Sequence, residues 1–308
     1  MSIFAKAAFV PAAWWVICIT VVTWCLLLRS KRLLHGSTLI GPWWWMVASI
    51  SVMGGTQSIL LVASQIAGRE SAHWEAALVF AAASSSFCPL MSLLGAKRPQ
   101  DRGWHFVVLS LWAILILPVA ESLVLRHGQM PDVQGARSWF MLILIALGIT
   151  NFLPTRFGIP AALFGIGQLL MLADSLPLIR DFFDSSPTVT GFSCCATANI
   201  VASALGSRRN ARPRSLDRVW RDFRDAFGLL WGLRVAEQIN IAARSSKWPL
   251  TLRWWGFVGD DGSKLDFDDL PDETQKPLLQ VTQNLLRRFV SSNWIAARLG
   301  DGIDLGID

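Results

Sequence analysis

The chain has 308 residues, 53% of them hydrophobic and only 16% charged, with a formal net charge of +6. A soluble domain carries roughly 25% charged residues, so this balance excludes a single globular domain in water and points to a polytopic membrane protein. The positive excess belongs to loops on the cytoplasmic side of such a protein rather than to a nucleic-acid surface, and no nucleic-acid partner is expected.

A helix needs about 20 apolar residues to cross a hydrocarbon core of roughly 30 Å. Seven stretches meet or approach that length: 7–28, a span within 41–66, 76–96, 106–125, 139–154, 158–178 and 187–206. The first is too long for a secretory signal core and is followed by Arg29, Lys31 and Arg32, so it reads as a retained span with its N-terminus outside. The last is diluted by Thr188, Thr190, Ser193, Thr197, Asn199 and Ser203. Charge asymmetry nevertheless asks it to cross. With seven spans the inside connections carry Arg29, Lys31, Arg32, Lys97, Arg98, Arg102, Arg156, Arg208, Arg209, Arg212 and Arg214. The outside ones carry only Lys6, Arg69, Arg126, Arg137 and Arg180. The expected fold is therefore an α-helical multi-pass protein of the cell inner membrane, with seven transmembrane helices in 1–206, N-terminus out and C-terminus in, and the lipid bilayer as its first partner.

Trp43, Trp44, Trp45, Trp74, Trp104 and Trp139 stand at span borders, where the indole ring favours the headgroup level. Small residues spaced by four, namely Ala198, Ala202 and Gly206, Ser51 with Gly55, Gly54 with Ser58, and Ala161 with Gly165, mark expected close contacts between helices. The five cysteines, Cys18, Cys25, Cys88, Cys194 and Cys195, lie in apolar segments without CxxC spacing and read as small packing residues.

Beyond the spans, 207–214 is a basic juxtamembrane hinge, 215–300 a small cytoplasmic α+β domain and 301–308 a frayed tail. Ser215 is placed to cap a helix with Leu216, Val219, Trp220, Phe223, Phe227, Leu230 and Trp231 on one face and Arg218, Arg221, Asp222 and Asp225 on the other. The run LTLRWWGFV over 250–258 predicts a strand, Gly259 to Ser263 a turn, and 264–267 the returning strand of a hairpin. A second helix is expected over 277–299, with Pro277 near its first turn and Gly300 just past its end.

Glu121 and Asp174 are the two formally charged residues inside the spans, and ionisable groups in a bilayer are suspects for function. Each lies three residues from a proline, Pro118 and Pro177. Proline frees a helix carbonyl one turn earlier, here those of Ile114 and Ala173. Two carboxylates and two carbonyls would make a cation or proton site, with Gln57 and Gln168 deeper in. The competing reading has both acids reaching for the outer surface, or pairing with Arg126 and Arg180. His35, His73, His105 and His127 fall at span ends or in loops, and the acidic 260–269 segment has its glycine in the wrong place for a calcium loop. No catalytic residue set, metal site or cofactor is expected, and no phosphate-binding glycine motif occurs. The leading reading is a bundle that senses or transports a small solute, with a cytoplasmic regulatory or binding domain. The alternative is a structural or assembly component of a membrane complex whose cytoplasmic domain recruits a protein partner.

Overall fold

The computed structural model describes residues 3–66, 72–100, 103–122, 135–176, 179, 182–183, 187–207, 215–265, 267 and 270–299. The protein is 78% helical, with one two-stranded sheet near the C-terminus. Where the surroundings are apolar the backbone must bond to itself, and the apolar two thirds of the chain accordingly folds as helices. These are α1 (Ile3–Ser30), α2 (Ile40–Ile66), α3 (Ala72–Ser85), α4 (Cys88–Leu94), α5 (Trp104–Leu115), α6 (Leu117–Ala120), α7 (Ala136–Phe152), α8 (Gly158–Met171) and α9 (Thr188–Ser207). Four segments are long and apolar enough to cross a membrane: Pro11–Leu34, Ile40–Ser64, Trp74–Leu94 and Thr188–Ser207. The helices α5, α7 and α8 are apolar but shorter.

The segment Trp74–Leu94 is the middle of the bundle, since 72% of its most apolar window is buried, against 28% for Pro11–Leu34. The helix α1 instead turns Trp14, Trp15, Val21 and Val22 outward, together with Cys18 and Cys25, so these two cysteines do not pack a core as expected. Cys88 and Cys195 are buried. The central path breaks at Ser86 and Phe87. Pro89 has no amide to offer the carbonyl of Ser85 one turn earlier. The hydroxyl of Ser49 on α2 donates to that carbonyl at 2.6 Å instead. Ser85 and Ser86 turn their own hydroxyls back onto the carbonyls of Ala82 and Ala83, the local competition that makes serine a poor interior helix residue.

The closest helix crossing is that of α8 with α9. A Cβ on Gly167 would run into the carbonyl of Gly191 and the sulfur of Cys195, and one on Gly191 into the carbonyl of Gly167. The expected seam of Ala198, Ala202 and Gly206 lies further along α9, where Ala202 and Gly206 border open space rather than a neighbouring backbone. Trp43 also departs from a border role. It is 5% exposed, and its indole donates to the Leu27 carbonyl at 2.9 Å, tying α2 to α1.

The C-terminal unit comprises α10 (Leu216–Ser245), β1 (Leu250–Arg253), β2 (Gly256–Gly259), α11 (Asp272–Leu286) and α12 (Ser292–Leu299). Ser215 caps α10 by accepting from the Arg218 amide at 3.3 Å. Leu216, Val219, Trp220, Phe223 and Phe227 are buried as their spacing predicts, but Leu230 is 42% exposed, and Asp222 and Asp225, expected on the face opposite the apolar one, are 1% exposed. The two departures have separate causes. Gly228, at φ 77° and ψ −169°, breaks the helical phase, and the first half of α10 is packed on every side. The hairpin also turns earlier than expected. Trp254 and Trp255 form its tip, Arg253 pairs with Gly256, and the Asp260 to Ser263 turn leads only to an isolated bridge between Val258 and Lys264. That turn is built as its chemistry predicts, with the Ser263 hydroxyl and amide donating to Asp261 and holding its carboxyl below the usual range.

The expected single helix over 277–299 is two helices, because residues between them are recruited elsewhere. The Thr38 amide donates to the Phe289 carbonyl at 2.9 Å, the Arg98 amide to the Arg288 carbonyl at 2.8 Å, and the Ser291 amide to the Gly36 carbonyl at 2.6 Å. The unit also grips the connection after α7. The indole of Trp254 donates to the Pro154 carbonyl at 2.9 Å, and the Leu230 amide to Asn151 Oδ1 at 3.0 Å. Trp231 donates to the Leu93 carbonyl at 3.1 Å. The connections after α1, α4 and α7 therefore lie at one end of the bundle, the docked end. Leu39, Leu93 and Ala96 join the hydrophobic cluster of the C-terminal unit, whose centre is Phe223 stacked on Phe227 with Phe289 edge-on to both.

Asn151 serves in trans as the cap that restarts α10 after Gly228, and a Cβ on Gly228 would collide with Asn151. Gly228→Ala is expected to lower stability by about 2 kcal/mol or more through positive φ and that collision. Asn151→Ala should cost about 1 kcal/mol, the value of a lost cap. Thermal unfolding and protease sensitivity of the C-terminal unit measure both, and unchanged behaviour in the two variants would contradict this docking.

Candidate functional site

A cavity of about 350 Å³ lies at the docked end, bordered by α1, α2, α4, α7, α8 and α9, with Asp225 and Ala226 of α10 at its mouth. That is the size of a pocket for a small organic molecule. Its walls are apolar, with Leu27, Trp43, Met46, Leu144 and Phe164 contributing bulk. Small residues, Gly148, Ala198, Ala202 and Gly206, line the space, while Gly165 lets Ile149 pack closely beside it. A Cβ on Gly206 would come no closer than 3.7 Å to Leu33, and one on Gly148 no closer than 3.5 Å to Leu90.

Polar groups are few and placed at the two ends. Where the central helix breaks, Gln168 Nε2 donates to Ser86 Oγ at 2.9 Å and to the Ser86 carbonyl at 3.3 Å. Asn199 Nδ2 donates back to the Cys195 carbonyl at 2.9 Å. Among the described residues no hydrogen bond uses Gln168 Oε1 or Asn199 Oδ1, so two neutral acceptors remain in a mostly apolar lining. The arrangement can hold an apolar body and receive a hydroxyl or amide hydrogen.

The mouth is ionic. Asp225 Oδ1 accepts from Arg224 Nε at 3.0 Å and Nη2 at 2.7 Å, and Asp225 Oδ2 lies 3.4 Å from Arg156 Nε. The Arg224 and Asp225 side chains are 4% and 1% exposed. Arg224 also donates to the Trp254 carbonyl at 2.7 Å and lies over the rings of Trp254 and Trp255, 5.1 and 4.9 Å from their centroids. Two more acids of α10 are satisfied within the C-terminal unit. Asp222 Oδ2 accepts from Arg298 at 2.9 Å, and Asp217 Oδ1 from the Phe257 amide at 3.1 Å.

The residues expected from sequence take separate places. Glu121 sits in a wider π-type turn after α6, partly exposed, with Oε1 3.5 Å from Arg137. Asp174 is exposed in the short turn after α8. No hydrogen bond or ion pair joins the two acids. The carbonyls thought free are engaged, Ile114 by the Ile116 amide and Ala173 by the Leu176 amide. Gln57 is buried, its Oε1 accepting weakly from Thr188 at 3.4 Å and its Nε2 without a partner. Gln168 alone of the four reaches the cavity. Pro177, Arg126, Arg180, His127, residues 208–214 and the tail 301–308 lie outside the described residues, as does the side chain of His73. His105 accepts from the Trp45 indole at 3.0 Å. Among the described residues no three His, Cys, Asp or Glu side chains gather as metal ligands.

Ser86, Asn199, Arg156 and Asp225 escaped the sequence reading. Three consecutive serines followed by Pro89 inside an apolar run was the available signal for the break. Nothing in the sequence pairs Arg156 with Asp225.

Asp225→Ala would leave buried Arg224 facing Arg156 with no anion between them. A loss of about 3–5 kcal/mol is expected, the usual cost of orphaning a buried charge. Asp225→Asn should lose less, since its Oδ1 can still accept from Arg224. Chemical denaturation of the purified protein gives both values, and equal small losses would remove the pair from its proposed weight.

No family model, no curated protein and no solved structure matches the chain, so its function is argued from the site.

Proposed function

We propose that the protein is a seven-span integral membrane protein that binds a small, uncharged, amphiphilic solute in this cavity, as a sensor or transporter, with its C-terminal unit reading the occupancy. The observation that carries the proposal is the shared lining, since Asp225 and Ala226 of the C-terminal unit border the same space as Gln168 and Ser86 of the bundle. A guest there touches both parts of the chain at once. Discontinuous helices are a recurrent way of presenting backbone and polar groups inside a membrane protein, and the break at Ser86 fits that use. The preference for an uncharged guest follows from the lining. Its interior donors and acceptors are neutral, and its charged groups are already paired at the mouth.

The topology of seven crossings, with the N-terminus outside and the C-terminal unit on the cytoplasmic face of the inner membrane, has separate support. The C-terminal unit bonds to the connections after the first, third and fifth apolar stretches, of which the first two are the connections between spans richest in Lys and Arg. Alternating crossings put those three on one side, and the unit that touches them belongs there too.

Two measurements test the reading. A reporter active only in the cytosol, fused after Asp308, should give signal, and one active only in the periplasm should not. Binding of decanol, an uncharged amphiphile, should raise the thermal midpoint of the protein in lipid nanodiscs, as any ligand of the native state does. Decanoate should do so less. Gly206→Phe, which fills the cavity, should remove the response. An equal shift in wild type and variant would take the cavity out of the argument.

A further inference from the structure

The hairpin tip ends in a tryptophan that its own unit does not cover. Trp255 is 71% exposed, beside Trp254, whose indole is bonded to the Pro154 carbonyl where α7 ends. Leu153, one residue before that carbonyl, is 57% exposed. Around the same helix end, Leu230 and Leu233 of α10 are 42% and 53% exposed, and Leu230 is held there by Asn151 of α7. Gly232 lies against the Trp254 ring, which brings this turn of α10 to the hairpin tip. Four large apolar side chains from three separate elements thus share one level of the molecule. It is the level at which the outward face of α7, with Ile143 58% exposed, gives way to polar chain.

Exposed apolar groups at that level meet a bilayer edge rather than water. An indole is the side chain best suited to the zone between headgroup and acyl chain. The flanking charges agree, since Arg253 precedes the tip, Arg234 follows Leu233, and both are exposed. Lysines and arginines near a surface are attracted to anionic headgroups. Arg224, stacked over Trp254 and Trp255 and fixed by Asp225, sets the direction of the tip.

We infer that Trp255, Leu153, Leu230 and Leu233 form a membrane-interface anchor, by which the C-terminal unit rests on anionic lipid headgroups of the adjoining leaflet. The anchor is a second attachment beside the hydrogen bonds to the loops, and it holds α10 against the cavity mouth. It rests on the reading of α7 as a membrane helix.

A photo-reactive benzoylphenylalanine placed at 255 in the full chain tests it, in vesicles of phosphatidylcholine alone and of phosphatidylcholine mixed equally with phosphatidylglycerol, each with tracer phospholipid. Position 143, on the exposed face of α7, is the positive control, and position 261, in the exposed turn after β2, the negative one. Capture of lipid at 255 should approach that at 143 and exceed that at 261. It should rise with phosphatidylglycerol, and Arg253→Glu with Arg234→Glu should cut the phosphatidylglycerol-dependent part by about threefold or more. Lipid capture at 143 but only background at 255 overturns the anchor and leaves the membrane reading standing. Background at both positions overturns the membrane reading of α7 itself. Capture at 255 that ignores headgroup charge overturns the assignment to anionic lipid.

Discussion

Asp225 holds a carboxylate, 1% exposed, between Arg224, its neighbour in sequence, and Arg156, from the turn between α7 and α8. An isolated buried carboxylate costs several kcal/mol, and its partners recover that only in good geometry. The seat of α10 against the bundle is therefore narrowly defined. With Asp225 placed, Gly228 has to kink to clear Asn151, Leu230 leaves the buried face, and Arg224 is left aligned with the two tryptophans of the hairpin. The mouth of the cavity, the docking of the C-terminal unit and the direction of the hairpin tip all descend from this one arrangement.

A second constraint acts inside the bundle. Helix breaks strand backbone groups, and in apolar surroundings those groups need partners. Here the partners come from other helices. Ser49 of α2 serves the Ser85 carbonyl, Gln168 of α8 serves the Ser86 carbonyl, and Asn151 of α7 serves the Leu230 amide. Each repair is also a cross-link between elements distant in sequence. Breaks that would loosen a lone helix thereby hold neighbouring helices in register, and the space beneath the Ser86 break persists because its rim is bonded on two sides.

Length and hydropathy made the helical bundle legible, and cap chemistry made Ser215 and the Asp261 turn legible, because these depend on residues near in sequence. The parts that escaped depend on contacts across the chain. The amphipathic reading of α10 put Asp222 and Asp225 opposite its apolar face, whereas Arg298 of α12 covers Asp222 and Arg156, in the turn after α7, reaches Asp225. The helix expected over 277–299 has no strong local breaker at 288–291. It is interrupted because Phe289 and Ser291 bond to Thr38 and Gly36, and tertiary pairing outweighs local propensity. Among the candidate site residues, Gln168, which lines the cavity, stands out in the sequence because an amide in an apolar run is conspicuous. The same rule picked Glu121 and Asp174, which stand at helix ends where charge is cheap.

The distribution of charge is the reason a neutral guest is proposed for the cavity. The buried charged residues among those described are Asp217, Asp222, Arg224 and Asp225, and all belong to α10. In the bundle the buried polar groups are hydroxyls and amides, such as Ser86, Gln168 and Asn199. A bare ion entering there would exchange its hydration for a few neutral dipoles and no counter-charge, which is costly. An uncharged amphiphile loses little water from its apolar part and needs only one or two hydrogen bonds. Gln168 Oε1 and Asn199 Oδ1 can accept these without disturbing the bonds that hold Ser86. Under the proposed reading, the guest's other end would meet Ala226 and the Asp225 pair, so that its length would decide whether α10 is pressed or left in place, and selectivity by length and sensing by the C-terminal unit would be two consequences of the same contact.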